Sequence, residues 1–345
     1  MFPRVSIMLP ARNEELNIET CVRSLIAQEY HDFQVVVLDD ESGDSTWQFM
    51  VDLASEDDRI CIIKGKPLPE GWIGKNWACH QLSQVADGEL LLFTDADTRH
   101  HPTSLHAAVS SMMDEDADLI TAIPHEEVIS WAERLTIPVI FFCMMCFVPL
   151  GLAYRLKSPI LSATIGQFMM FRKTAYEKIG GHAAIKQNAV DDISLGRNIK
   201  SHGLRWHLYD GSDLIRCRMY KDFHQVYEGL SKNLFAVFNY RLIITLFIWI
   251  WLSIVFFSPL VVLGLWFAGV HIPLLSIILA ATSVAIAALL WGITYWRFGF
   301  PLYLIFLYPA SMMLIFAIVT SSIILTTTGR TTWKGRTLIR QEVHW

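Results

Sequence analysis

The sequence predicts an α/β domain built on a mostly parallel sheet, followed by a C-terminal helical transmembrane region, and three observations carry that prediction. Short β-branched runs alternate with helical patterns over residues 4–125, acidic or polar clusters follow three of those runs directly, and the last third of the chain is nearly free of charge. Of 345 residues, 53% are hydrophobic and 18% charged, against a usual charged fraction of about 25%. The deficit is local. Residues 1–240 hold 22 Lys/Arg and 32 Asp/Glu, whereas 241–345 hold six and one, and between Leu242 and Gly329 the single formal charge is Arg297. This excludes a wholly soluble protein, a disordered chain and a nucleic-acid binder working through a basic domain. Six cysteines at these spacings match no disulfide or metal framework. Met1-Phe2-Pro3-Arg4 runs straight into Val5–Leu9, too short an apolar run for a signal peptide, so the polar part is expected to begin in the cytoplasm.

The strands are expected at Val5–Leu9, Gln34–Leu38, Ile60–Lys64 and Leu90–Thr94. The first crossover helix is expected over Glu14–Gln28, where Leu16, Ile18, Val22, Leu25 and Ile26 fall near helical spacing. Ser42–Thr46 offers cap chemistry before a second helix. Ligands of such sheets bind beyond the carboxyl ends of the strands. Pro10–Glu14, Asp39-Asp40 and Asp95-Ala96-Asp97 all stand there. Any one cluster is explained by turns and helix caps; three at equivalent strand ends point to a site. Asp95 and Asp97 can place one carboxylate on Mg²⁺ or Mn²⁺ and the other on a sugar hydroxyl or the same cation, because these ions take one or two carboxylates plus diphosphate oxygens.

LPARNEE (9–15), VVVLDDESGDST (35–46), GWIGKNWA (71–78) and LLLFTDADT (90–98), in this order, resemble the family 2 inverting glycosyltransferases of GT-A fold, over roughly residues 4–240. The membrane tail and the closing Trp333-Lys334-Gly335-Arg336 are most similar to bacterial membrane members acting on lipids, such as the hopanoid-associated and carotenoid (diaponeurosporenoate) glycosyltransferases. The resemblance implies a nucleotide-sugar donor held by Pro10, Ala11, Glu14 and Asp39 or Asp40. An Asp accepting a uracil N3–H is the reason to expect UDP. It also implies Lys75 near the diphosphate, Asp95 by the ribose or diphosphate, and Asp97 on a divalent metal, Mg²⁺ or Mn²⁺. Asn188–Ile193 resembles the family's acidic pair at the start of a helix, here expected over Asp192–Ser201. Asp192 falls at the position of the base and Asp191 replaces the more usual Glu, which leaves open which of the two reaches the acceptor.

Processive polysaccharide synthases of the superfamily carry QxxRW shortly before the membrane. The local imitation, His202–Trp206, has the wrong first residue and comes too soon. Arg218 and Lys232 stand instead at the expected place, as candidate cations for the leaving diphosphate. A scaffold with a dead transferase domain is the other alternative, and it would tolerate loss of Asp97 or Asp192. Cys143 and Cys146 read as small hydrophobes, His100-His101 as solvated loop residues or metal neighbours, and Trp72 and Trp77 as sugar-flanking or loop-packing side chains.

Leu242–Val270, Ile272–Trp296 and Phe298–Gly329 run 29, 25 and 32 residues without charge, each beyond the ~20 needed to span a bilayer core. Pro259 and Pro309 are placed to kink the first and third. The apolar stretch 135–153 cannot cross once, because Asp97 and Asp192 must share a side; it is expected to be interfacial or re-entrant. The domain plan is therefore 1–240 catalytic, 241–329 transmembrane and 330–345 a basic tail, in an inner-membrane protein whose catalytic domain faces the cytoplasm and whose partners are a nucleotide sugar and a lipid. Three crossings would send the tail outside, while Arg330, Lys334, Arg336 and Arg340 favour inside. These two inferences conflict.

Overall fold

The computed structural model describes residues 2–345. The chain divides into two compact units: one takes the residues up to Glu127 with Val148–Met219 and Lys334–Ile339, the other Val128–Phe147, Tyr220–Trp333 and Arg340–Trp345.

The first unit opens with β1 (Val5–Ala11), α1 (Ile18–Ile26), β2 (Phe33–Asp39), α2 (Thr46–Glu56), β3 (Ile60–Lys64), α3 (Gly74–Val85) and β4 (Leu90–Thr94). After β5 (Thr98–His100) come α4 (Ser104–Asp114), β6 (Leu119–Ile123) and β7 (His125–Glu126). The chain re-enters this unit through α6 (Leu150–Arg155), β8 (Phe168–Arg172), α7 (Lys173–Lys178), α8 (Asp191–Ser201), β9 (Trp206–Asp210) and β10 (Ile215–Cys217). Seven strands form one sheet in the order β3-β2-β1-β4-β8-β6-β9. Strands β3, β2, β1 and β4 pair in parallel, as do β6 and β9, while β8 lies antiparallel between β4 and β6. The expected parallel sheet is present with one inverted strand.

Continuous apolar runs become central strands because both faces are covered. Along β1, Val5, Ile7, Leu9 and Ala11 enter the core shared with α1, α2 and α4, while Met8 enters the core shared with α3, α7 and α8. β2 divides the same way, with Val35 and Val37 on one face and Val36 and Leu38 on the other. The turn before β4 is packed to the backbone: a Cβ on Gly88 would meet Ser6 N of β1 at 2.6 Å and, just before that strand, Arg4 O at 2.9 Å. Gly88→Ala is expected to destabilise the protein by about 1–3 kcal/mol, read as a lower unfolding midpoint, because a strand rather than a flexible side chain has to move.

Helix α1 starts at Ile18, four residues later than the apolar spacing indicated. Asn13 adopts φ 51°, and Glu14 O accepts from Asn17 N and Ile18 N, so residues 13–17 form a turn at the strand end. The misplaced apolar residue, Leu16, is 74% exposed.

The second unit contains α5 (Trp131–Phe147), α9 (Phe223–Asn233), α10 (Leu242–Phe267), α11 (Leu274–Arg297) and α12 (Tyr308–Thr328). The segments Leu242–Phe267, Leu274–Arg297 and Leu302–Thr328 are long and apolar enough to cross a membrane. Pro259 lies inside α10, but Pro309 sits in the first turn of α12, where it starts the helix instead of kinking it. α5 has 17 residues with Pro138 inside, and Phe142 stacks on fully buried Trp291 of α11 at 4.1 Å.

Ring contacts give the helix directions. Phe256 of α10 stands 5.9 Å from Tyr308 at the start of α12, and Trp249, two turns earlier on α10, stands 4.9 Å from Phe316, two turns further along α12. α10 and α12 are therefore antiparallel. α11 returns from α10 through residues 268–273, and its Trp291 packs against Tyr308 at 6.1 Å. α12 thus begins beside the end of α11 and continues in the same direction along the first half of α10.

Candidate active site

Three strand ends and one helix start converge in the first unit. Ala11 O accepts from Asp40 N at 2.7 Å, which closes the β1 and β2 ends together. Pro10 and Ala11 belong to β1, opposite Leu38 and Asp39 of β2, and Ala11 is a core residue. Asp39 is buried and receives Ser42 N at 3.2 Å. Asp40 is 4% exposed, and its Oδ1 is a buried acceptor with no partner among the described residues. Burial raises the Asp40 carboxyl, opposed by Arg336 and Arg12.

No sequence signal assigned a site role to the segment that meets this carboxylate. Arg336 pairs with Asp40 Oδ2 at 2.5 Å and with Glu41, while Lys334 pairs with Glu14 and donates to Arg12 O at 3.0 Å. Arg12 donates in turn to Asp40 O and Glu41 O. Lys334 and Gly335 both have positive φ, 46° and 76°, so the chain turns tightly there, and the small residue permits it. Residues roughly 320 positions apart thus share one charge cluster. Its sequence signal was Trp333-Lys334-Gly335-Arg336, a mark of the family resemblance and, through its cations, of topology.

Asp95-Ala96-Asp97 follows β4 and is held by Thr98, whose hydroxyl donates to Asp95 O at 2.7 Å. The small sheet β5-β10-β7 braces it, and Arg218 N donates to Asp97 O at 3.2 Å. Burial first, then the charges of Asp95 and Glu14, push the Asp97 carboxyl up to about 7. Behind it Cys217 donates to Asp97 Oδ1 at 3.6 Å, and Glu126, 3% exposed, is raised well above the usual carboxylate range by burial and by Asp97. Neither Cys217 nor Glu126 carried a sequence signal. Such crowding of half-buried and buried acidic groups fits a divalent cation. The donors that Asp95 and Asp97 offer are hard oxygens, and among the described residues no group of three or more His, Cys, Asp or Glu makes a complete cage.

His100 is not a metal neighbour. It is 5% exposed, its Nε2 lies 3.0 Å from the Thr94 and Thr98 hydroxyls, and burial lowers its pKa to about 4, so it is a neutral structural side chain. Trp72 and Trp77 pack on each other and on His80, with centroids 5.0–5.6 Å apart.

The acidic pair opens α8, which starts at Asp191, one residue earlier than expected. Carboxylates are favoured at that end of a helix. Asp192 Oδ2 receives Gly166 N at 3.1 Å and Oδ1 receives Ile193 N at 2.7 Å. Burial first, then Asp191, raise the Asp192 carboxyl to about 6. Lys75 ties this pair to the strand-end acids: its ammonium lies 2.8 Å from Asp95 Oδ1 and 3.3 Å from Asp191 Oδ2. The neighbouring Asn76 fixes the approach, donating at 2.9 Å to Ile185 O and to Asn188 O in the loop before α8. The structure thus gathers Asp95, Asp97, Lys75, Asp191 and Asp192 in one place. Lys232 is in the second unit, its ammonium 4.4 Å from the Trp333 ring centroid.

Residues 6–180 match the model of glycosyl transferase family 2. The chain belongs to this family. The 4,4'-diaponeurosporenoate glycosyltransferase of Staphylococcus haemolyticus (strain JCSC1435) is 25% identical over 233 residues, and that of Staphylococcus aureus (strain MRSA252) 26% over 241. Each match covers 67% of this chain and 60% of the relative, so the chain spans about 60% of the length of these curated relatives. Among solved structures, a mannosyltransferase from Pyrobaculum calidifontis in complex with GDP-Man and Mn²⁺ superposes with a TM-score of 0.57 at 18% identity, over 94% of this chain and 87% of that one. The fold of this family 2 glycosyltransferase is therefore GT-A, as expected, followed by helices able to span a membrane.

Proposed function

We propose that this glycosyltransferase moves a sugar from a nucleotide diphosphate, UDP-linked on the chemistry of Asp40, to a lipid hydroxyl at the cytoplasmic membrane face, with inversion. The observation that carries this reading is the joining, through Lys75, of the Asp95/Asp97 acids to the Asp191/Asp192 pair. A donor-side acid cluster and an acceptor-side base have to share one centre for displacement at the anomeric carbon.

In this reading Asp39 and Asp40, with the β1 end and Glu14, hold the nucleoside, and the unpartnered Asp40 Oδ1 is the acceptor offered to an N–H or O–H of the base or ribose. Asp97 and Asp95 would hold Mg²⁺ or Mn²⁺, which supplies charge compensation for the leaving diphosphate. Arg218 lies beside Asp97 through its backbone and is the further cation proposed for the diphosphate, whereas Lys232 belongs to the second unit. Asp192 takes the proton of the attacking hydroxyl.

The relatives are named for a carboxylate acceptor, which would arrive ionised and need no base; the half-buried Asp192, with its raised carboxyl, favours a hydroxyl. Only the ionised form of Asp192 accepts a proton, so kcat is expected to rise tenfold per pH unit below about 6 and to level off above it. A kcat profile flat from pH 5 to 8 would contradict the base assignment. Donor and stereochemistry are tested together by offering UDP-glucose, UDP-GlcNAc, UDP-galactose and GDP-mannose and reading the product anomer by NMR. Retention of configuration would remove the single-displacement reading.

We infer the membrane topology from the connectivity. Residues 334–339 belong to the same unit as the strand-end acids. This reading takes an even number of crossings between Met219 and Lys334. α10 passing outward and α11 and α12 returning in series give that even number, and the basic tail stays on the catalytic side.

A further inference from the structure

Asp191 and Asp192 are adjacent carboxylates at one helix start, and either could serve as the base. Their surroundings differ. Asp191 Oδ2 is 3.3 Å from Lys75 Nζ, whereas both Asp192 carboxylate oxygens are engaged by backbone N–H groups of Gly166 and Ile193. Asp192 Oδ2 and Lys75 Nζ flank the same glycine: each lies 3.6 Å from the position a Cβ on Gly166 would take. Lys75 is therefore close enough to act on Asp192 electrostatically without being its ion-pair partner.

We propose that Lys75 is a positioning residue that selects the base: by committing Asp191 to an ion pair it leaves Asp192 as the proton acceptor. The inference rests on the reading of Asp192 as the base. Lys75 stands between two carboxylates, Asp95 and Asp191, and so places a cation beside the acidic pair. The other ionisable groups around the pair do not compete. His182, from the turn after α7, is 1% exposed, bonded through Nδ1 to the Tyr176 hydroxyl at 2.8 Å, and lowered by burial to about 4, hence neutral. Cys79, on α3 one turn past Lys75, is raised well above its ordinary value by burial and stays a thiol. Asp95 is the second partner of Lys75, and of the cations further along α8, Arg197 and Lys200, the latter donates to Ala153 O at 2.6 Å.

Two variants acting in opposite directions test this on the full chain in lipid vesicles, at saturating donor and Mn²⁺. Lys75→Gln removes the favourable cation, so Asp192 holds its proton more tightly and the acid limb of kcat is expected to move up by about one pH unit. Asp191→Asn removes the adjacent like charge, so the limb is expected to move down by a similar amount. Lys75→Arg keeps the charge and should return the limb to its wild-type position even if the plateau falls. A merely structural role for Lys75 predicts lower plateaus with the limb unmoved, and that result, or shifts of the same sign in both variants, overturns the proposal. If Lys75→Gln turns over too slowly to follow, Asp191→Asn decides: a lowered limb supports the proposal and a stationary one refutes it. Asp192→Asn separates the two levels. Full turnover in that variant would defeat the base reading itself, whereas an inactive Asp192→Asn beside a stationary limb in Lys75→Gln would defeat the Lys75 inference alone.

Discussion

Asp192→Asn is expected to lower kcat by about a thousandfold, the middle of the range for removing a general base, while nucleotide-sugar affinity stays within a few fold. The amide cannot take a proton at any working pH. It does retain one acceptor oxygen, but its NH₂ must face one of the two backbone N–H groups, Gly166 N or Ile193 N, that the carboxylate now receives. Some local loosening is expected, so a thermal melt belongs beside the rate measurement. A variant that melts like the wild type and binds donor, yet turns over normally, would move the base elsewhere or mean that the acceptor arrives already ionised.

The second large effect is expected at Asp97. Asp97→Asn should abolish the increase in donor affinity brought by Mn²⁺ and lower turnover by at least about a hundredfold, with no recovery at excess cation. Affinity measured by calorimetry with Mn²⁺ and with EDTA separates this from a folding defect: the wild type should differ between the two conditions and the variant should not. Because Asp97 is crowded by Asp95 and Glu14, neutralising it is not expected to weaken the metal-free fold. Sites arranged to hold a charged ligand carry such unrelieved repulsion when they are empty, and stability and function oppose each other there. Equal Mn²⁺ responses in wild type and variant would place the cation on other residues.

What was readable in the sequence depended on how local the physics was. The four strands were legible because buried parallel strands need uninterrupted apolar runs, and Leu90–Thr94 has no other comfortable reading. The start of α1 was not legible. Leu16 fits the helical period but is exposed, and the backbone at Asn13 is left-handed because the strand-end loop has to turn toward Ser42 and Thr46, whose side-chain oxygens receive the N–H groups of Asn13 and Glu14. That is a tertiary demand. Asp95, Asp97, Asp191 and Asp192 could be picked out as residue types at strand and helix ends, but the ion pairs that join them through Lys75 span 20 and 116 positions and leave no local pattern. The same holds for Arg336 on Asp40, where the ion pair links opposite ends of the chain. The number of crossings was not readable for a simpler reason. Length and hydropathy show that a segment can span a membrane, and only the packing of Tyr308 beside Trp291 shows that α12 continues the course of α11.

The central claim, transfer of a sugar from a nucleotide diphosphate to a lipid, is tested most directly by incubating the protein in native-lipid vesicles with radiolabelled UDP-sugars and Mn²⁺ and then extracting the lipids. The account predicts label in the organic phase with one donor, abolished by EDTA and by Asp192→Asn. Donor consumption that leaves all label in water-soluble sugar or in a polymer, with none in the lipid phase, would contradict it.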